Sequence, residues 1–120
     1  MLKKWFLVLH CFLLAALPGV GNSADVQTLA SECYLISQHL FDLKAVQTGA
    51  SCTYKLNMAG HYTRVAGDNL IKEDFNTVKE YIRDALEFLR YAEKMNCEKM
   101  SEITQAKWDL VKVIKQVYEL

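Results

Sequence analysis

The chain has 120 residues, with 14 Lys and Arg against 14 Asp and Glu, four cysteines and one proline. That balance offers no concentrated positive field of the kind nucleic-acid binding requires. Past the first two dozen residues there is no apolar run of the roughly 20 residues a membrane-spanning helix needs, so one small exported domain is the expectation.

Met1–Ser23 begins with Lys3 and Lys4, continues through an apolar run from Trp5 to Leu17 broken only by His10, and exits through Pro18, Gly19 and Gly21. A basic start, an apolar centre and a small-residue exit form the pattern of a cleaved secretory signal peptide. The mature domain is then 24–120. Removing Lys3 and Lys4 leaves 12 basic against 14 acidic residues, a formal charge of −2. Localisation is expected to be periplasmic or secreted, with no membrane association once the signal is removed.

Asp25 is placed to cap a first helix over Val26–Leu43, along which Val26, Leu29, Cys33, Ile36, Leu40 and Leu43 recur at steps of three and four. Thr48 and Gly49 mark a turn. A second helix is expected from Ser51 to Ala66, with Cys52, Leu56, Ala59 and Tyr62 on one stripe. Gly60 falls inside it, as a break or as a place where another helix comes close. Gly67, Asp68 and Asn69 form a stop, with Leu70 and Ile71 folding back onto the core.

Asp74 caps the most strongly patterned helix, which ends near Asn96–Cys97. Phe75, Val78, Ile82, Ala85, Leu89 and Ala92 line its seam, and Tyr81, Phe88 and Met95 widen its apolar surface beyond that seam. Such leftover area marks a candidate partner or homodimer face. Ser101 caps a fourth helix carrying Ile103, Ala106, Leu110, Val113, Val117 and Leu120. No period-two run of β-branched residues appears, so the expected fold is all-α: a four-helix up-down bundle following a cleaved signal peptide.

Three cysteines remain in the mature chain, Cys33, Cys52 and Cys97, and an odd number allows at most one internal bridge. Cys33–Cys52 is the first candidate, with Cys33 set about six residues, or roughly 9 Å, from the level of Cys52. Cys52–Cys97, both at the turn end of the bundle, is the alternative. The cysteines and the two mature histidines, His39 and His61, lack metal-ligand spacing, so no metal and no cofactor is expected. No nucleophile–base pair or phosphate loop is legible, and an enzyme is not expected. Glu80, Asp84, Glu87 and Glu93 alternate with Lys79, Arg83, Arg90 and Lys94 as a solvated face with i,i+4 pairs such as Arg83–Glu87. Gly60, His61, Tyr62 and Arg64 are the candidate partner-binding segment, because tyrosine and arginine are enriched at interface hot spots.

With these positions in view, the chain resembles the amidase immunity proteins of type VI secretion systems. The matching features are the signal peptide, Leu29-x-x-x-Cys33, Cys52 opening a helix that contains Gly60, and Cys97 followed by Ile103-Thr104 and Val111-x-Val113-Ile114. The Cys52–Cys97 interval is longer than in one branch of that family, and that branch's cysteine near the C-terminus is missing here. The resemblance implies a periplasmic helical protein that binds and neutralises a peptidoglycan-cleaving toxin, often as a dimer. The partner would then be a secreted cell-wall hydrolase, with a homodimer as a second association. Different uses of the same architecture are a periplasmic bundle holding a small ligand or haem, and an adaptor or chaperone.

Overall fold

The computed structural model describes residues 25–120, and the expected signal peptide lies outside them. Four helices follow one another: α1 (Val26–Ala45), α2 (Ala50–Ile71), α3 (Phe75–Lys94) and α4 (Met100–Tyr118). Each packs on the next, and α4 closes back onto α1, which makes an all-α, four-helix up-down bundle. None of these helices is long and apolar enough to cross a membrane.

The three-four patterns become the core. Leu29, Leu40, Leu56, Leu70, Ile82, Leu89, Ile103 and Leu110 are all fully buried. Two caps fall where the sequence places them. Asp25 accepts from the Gln27 amide, and Asp74 accepts from the Thr77 amide and, at 2.7 Å, from its hydroxyl. The other two starts differ. Gly49 rather than Ser51 precedes α2, and Lys99 in a left-handed conformation rather than Ser101 precedes α4. Leu120, assigned to the fourth helix's seam, lies beyond its end and is exposed.

The largest departure is α2, which does not stop at Ala66. It runs through Gly67, Asp68 and Asn69 to Ile71, and only Leu70 of the last pair is buried. The reason lies across the interface with α1. Tyr34 and Phe41, seven residues apart, lay their rings over Gly67 and Gly60, also seven apart. A Cβ at either glycine would come within 2.8 Å of a ring carbon. Both glycines therefore serve close approach, and neither is a terminus. The Tyr34 hydroxyl donates to Asp68 at 2.6 Å, and the Ser37 hydroxyl donates to the Gly60 carbonyl at 2.7 Å. That bond to Asp68 is the main reason the Tyr34 phenol is pushed up to about 12.

The core stripe of α2 also shifts. Thr63, not Tyr62, continues Cys52, Leu56 and Ala59 into the interior, and its hydroxyl is satisfied by the Ala59 carbonyl at 2.7 Å.

The disulfide joins Cys52 to Cys97, with their Cα atoms 5.7 Å apart, and Cys33 is a buried free thiol. The first-favoured Cys33–Cys52 pairing is thereby corrected. The α1–α2 link is centred between residues 47 and 48, later than Val46, and helical side chains lean toward their own N-terminus; both move the level of Cys33 further from Cys52. With Tyr34 over Gly67, Cys33 lies about 24 Å along the bundle from Cys52. The α1–α2 and α3–α4 links share one end, and there Gln47 exchanges two hydrogen bonds with the Glu98 backbone, at 2.9 and 2.8 Å, beside the bridge.

Between α3 and α4, Glu93 accepts from Lys107 at 2.9 Å and from the Thr104 hydroxyl at 2.7 Å. Partial burial pushes its carboxyl up, but these two bonds and the charges of Lys107 and Arg90 outweigh it and hold the group below the ordinary glutamate range. A carboxyl lowered on folding stabilises above its unfolded pKa, and that contribution is lost as pH falls through the folded one. Lys107→Met should therefore be less stable than wild type at neutral pH, with the gap closing in acid. Urea midpoints across a pH series check this, and a gap constant with pH would exclude the ion pair as its source.

Candidate functional site

On the outer wall between α2 and α3, two helical stripes face each other. Tyr54 and Tyr62, eight apart on α2, meet Tyr81 and Phe88, seven apart on α3. Tyr62 contacts Tyr81 and Phe88 at centroid distances of 5.5 and 5.6 Å, and Tyr54 meets Phe88 edge-on at 6.2 Å. Edge-to-face contacts of this kind hold rings in fixed orientations.

Three concavities run along this wall and share their boundaries. The first, about 360 Å³, is lined by Lys55, Tyr62, Asp84, Glu87, Phe88 and Tyr91. The second, about 350 Å³, shares Tyr62 and Asp84 and extends to Tyr81, Glu80 and Thr77. The third, about 110 Å³, shares Glu87 and Tyr91 and reaches Arg90 and Lys94. Together they form a trough along α3 from Thr77 to Lys94, about 25 Å by helical rise. Its surface alternates rings with the exposed carboxylates of Glu80, Asp84 and Glu87. The aromatic area is of the kind that anchors protein interfaces, and the flanking carboxylates suit a partner segment that brings positive charge.

The candidate partner segment does not act as one unit. Successive helical residues point about 100° apart. Only Tyr62 enters the trough. Gly60 is buried beneath Phe41 on the α1 side, and His61 stands edge-on to the same ring at 5.0 Å. Arg64 is exposed, 3.5 Å from the His61 ring nitrogen. Of the candidate dimer face, Tyr81 and Phe88 are half-buried in the trough against Tyr62, whereas Met95 packs against the core at the C-terminal end of α3. The second face of α3 is thus partly covered by α2 within one chain.

Sequence reasoning missed Tyr54, Lys55 and Tyr91, and placed Asp84 and Glu87 on a merely solvated face. A signal was present: Tyr81, Asp84, Phe88 and Tyr91 keep the three-four step one position away from the seam. Counting apolar residues alone separates the acids from the rings between which they lie. Arg83, assigned to Glu87, instead donates to the Tyr118 hydroxyl and lies over that ring with Lys79, tying the end of α4 to α3.

On the opposite wall, Glu32, Leu35, Ile36, Asp109, Lys112 and Gln116 line a further concavity of about 350 Å³, where Leu35 is 72% exposed. Elsewhere, Cys33 is inert by position, since burial and then the Glu32 charge push its thiol up to about 12. Among the described residues, no three His, Cys, Asp or Glu side chains gather as a metal site. No family model, curated protein or solved structure matches this chain.

Proposed function

We propose that this protein is an exported, disulfide-stapled binding protein that neutralises a partner protein through the α2–α3 trough. The partner class implied by the sequence resemblance is a secreted peptidoglycan hydrolase, which makes the protein an immunity factor acting in the periplasm. The observation that carries the reading is the trough itself: five aromatic residues at 54, 62, 81, 88 and 91, with three carboxylates among them, on the wall between α2 and α3, where Tyr54 and Tyr91 are exposed and Tyr62, Tyr81 and Phe88 rest half-buried against the core. Tyrosine and phenylalanine fixed by ring contacts lose little conformational freedom on binding and supply large contact area. A bridge between Cys52 and Cys97 is compatible with an oxidising compartment. Neutralisation follows if the trough wall seats against the rim of a catalytic cleft and denies it substrate.

The test places a photo-crosslinking amino acid at Tyr91, and separately at Arg64, in protein expressed in its own host. A cell-wall hydrolase should crosslink at position 91 and not at 64, and its cleavage of peptidoglycan should be inhibited by the purified protein. Phe88→Ala should weaken that inhibition about 30-fold or more, the scale of a hot-spot residue, while leaving the far-ultraviolet circular dichroism unchanged. A bound small molecule in native mass spectrometry would point to a carrier. Crosslinking only to a second copy would make the trough a dimer face. Either result would overturn the reading.

A further inference from the structure

At the Tyr91 end of the trough, the Lys55 ammonium sits 5.0 Å from the Tyr91 ring centroid, 5.4 Å from Phe88 and 5.6 Å from Tyr54. Three rings from two helices around one cation make an aromatic cage, since each ring presents the negative face of its quadrupole. The cage opens outward: Tyr54 and Tyr91 are 54% and 47% exposed, and half-buried Phe88 lies between them. Among the described residues, the ion pairs are His39–Glu102, Lys99–Glu102 and Lys107–Glu93, so Lys55 is held by rings and not by a carboxylate. Asp84 and Glu87 line the same concavity, and neither takes part in an ion pair. Two carboxylates and one ammonium line that concavity, and the Lys94 ammonium lies 5.9 Å from the Tyr91 centroid at its border.

We propose that Tyr54, Phe88 and Tyr91 form a recognition cage for an arginine side chain of the partner protein, and that Lys55 is an internal occupant which vacates it on docking. This rests on the trough being the partner-binding face. Arginine is the occupant that fits both halves of the site. Its planar guanidinium stacks on aromatic faces and is more weakly hydrated than an ammonium, and its fork of N–H donors matches a carboxylate two bonds at a time. An arginine entering between Tyr54 and Tyr91 could lie on Phe88 and donate to Glu87 or Asp84. Lys55 can leave by rotating its flexible stem into solvent without moving the helix. The lysine then acts as a specificity element as well as a plug, because neutral side chains gain too little from the cage to displace it.

The cage can be tested apart from the partner. N-acetyl-arginine methylamide is titrated into isotope-labelled protein while the ring signals of Tyr54, Phe88 and Tyr91 are followed by NMR. Lys55→Ala should bind the probe at least threefold more tightly than wild type, and adding Tyr91→Ala should abolish the gain. Ring signals unmoved in Lys55→Ala, shifts that persist in the Tyr91→Ala background, or tighter binding of tetramethylammonium than of the arginine probe would each overturn the assignment. A hydrolase that crosslinks at position 91 while the cage stays silent would sink the cage alone and leave the trough reading standing. In a captured complex, replacing the partner arginine nearest position 91 should cost about tenfold in affinity in wild type and much less in Tyr91→Ala; equal losses would refute the proposal.

Discussion

Breaking the Cys52–Cys97 bridge should lower the stability of the bundle by about 4 kcal/mol, since it closes a loop spanning 45 residues of sequence. For a domain of this size, that corresponds to a melting temperature lower by about 15 °C or more. The bridge fastens the first turn of α2 to the α3–α4 link, beside the paired hydrogen bonds of Gln47 with the Glu98 backbone. In its absence the unfolded chain regains the freedom of the whole intervening hairpin of helices. Thermal melts of Cys52→Ala/Cys97→Ala, and of wild type with and without reductant, measure the effect. A shift of only two or three degrees would mean that the bundle end is held by packing alone. Alkylation read by peptide mass spectrometry adds an independent check. Cys33 should label only after unfolding, and Cys52 and Cys97 only after reduction.

Gly60→Leu should cost about 3 kcal/mol, the upper part of the range for overpacking a filled interior. Even the first added carbon would lie 2.8 Å from Phe41 Cε1 and 3.0 Å from Cδ1. Retreat of the Phe41 ring would give up its edge contact with His61 and its place under the Lys44 ammonium at 5.4 Å. Part of the loss is offset by helix propensity, since leucine is better than glycine in a helix interior by somewhat under 1 kcal/mol. The decisive measurement is a double-mutant cycle with Phe41→Ala, which vacates the space over residue 60. The pair should be less destabilising than the sum of the single changes by at least about 1 kcal/mol, within the usual range for contacting residues. Additive effects would mean that residue 60 and the Phe41 ring do not compete for the same volume.

The trough was only partly legible in the sequence. Tyr81 and Phe88 stood out because they exceeded what one seam could bury, and Tyr62 because it shares a short segment with Arg64, residue types enriched at interface hot spots. Lys55 and Tyr91 did not, because their significance is a meeting of two helices whose relative rotation no local pattern states. His61 and Arg64 were drawn toward Tyr62 by adjacency in the chain, yet a helix turns neighbours away from one another. Asp84 and Glu87 looked like half of an ordinary charged surface. What distinguishes them is the pair of aromatic stripes on either side, one of which belongs to α2.

By itself the sequence determined the number of helices, their approximate extents and most of the buried residues, because apolar recurrence at steps of three and four is a local property that each helix must satisfy. It also determined the caps at Asp25 and Asp74, where a carboxylate meets unpaired amides within three residues. Tertiary structure decided the rest. Whether Gly60 and Gly67 break α2 or admit another helix depended on the rings of Tyr34 and Phe41 arriving from α1. Which cysteines pair depended on the offset between antiparallel helices and on which links share an end of the bundle. The aromatic trough depended on how α2 is turned toward α3. Each of these is a relation between segments far apart in the chain, and such relations are fixed only when the core chooses one packing of the four helices.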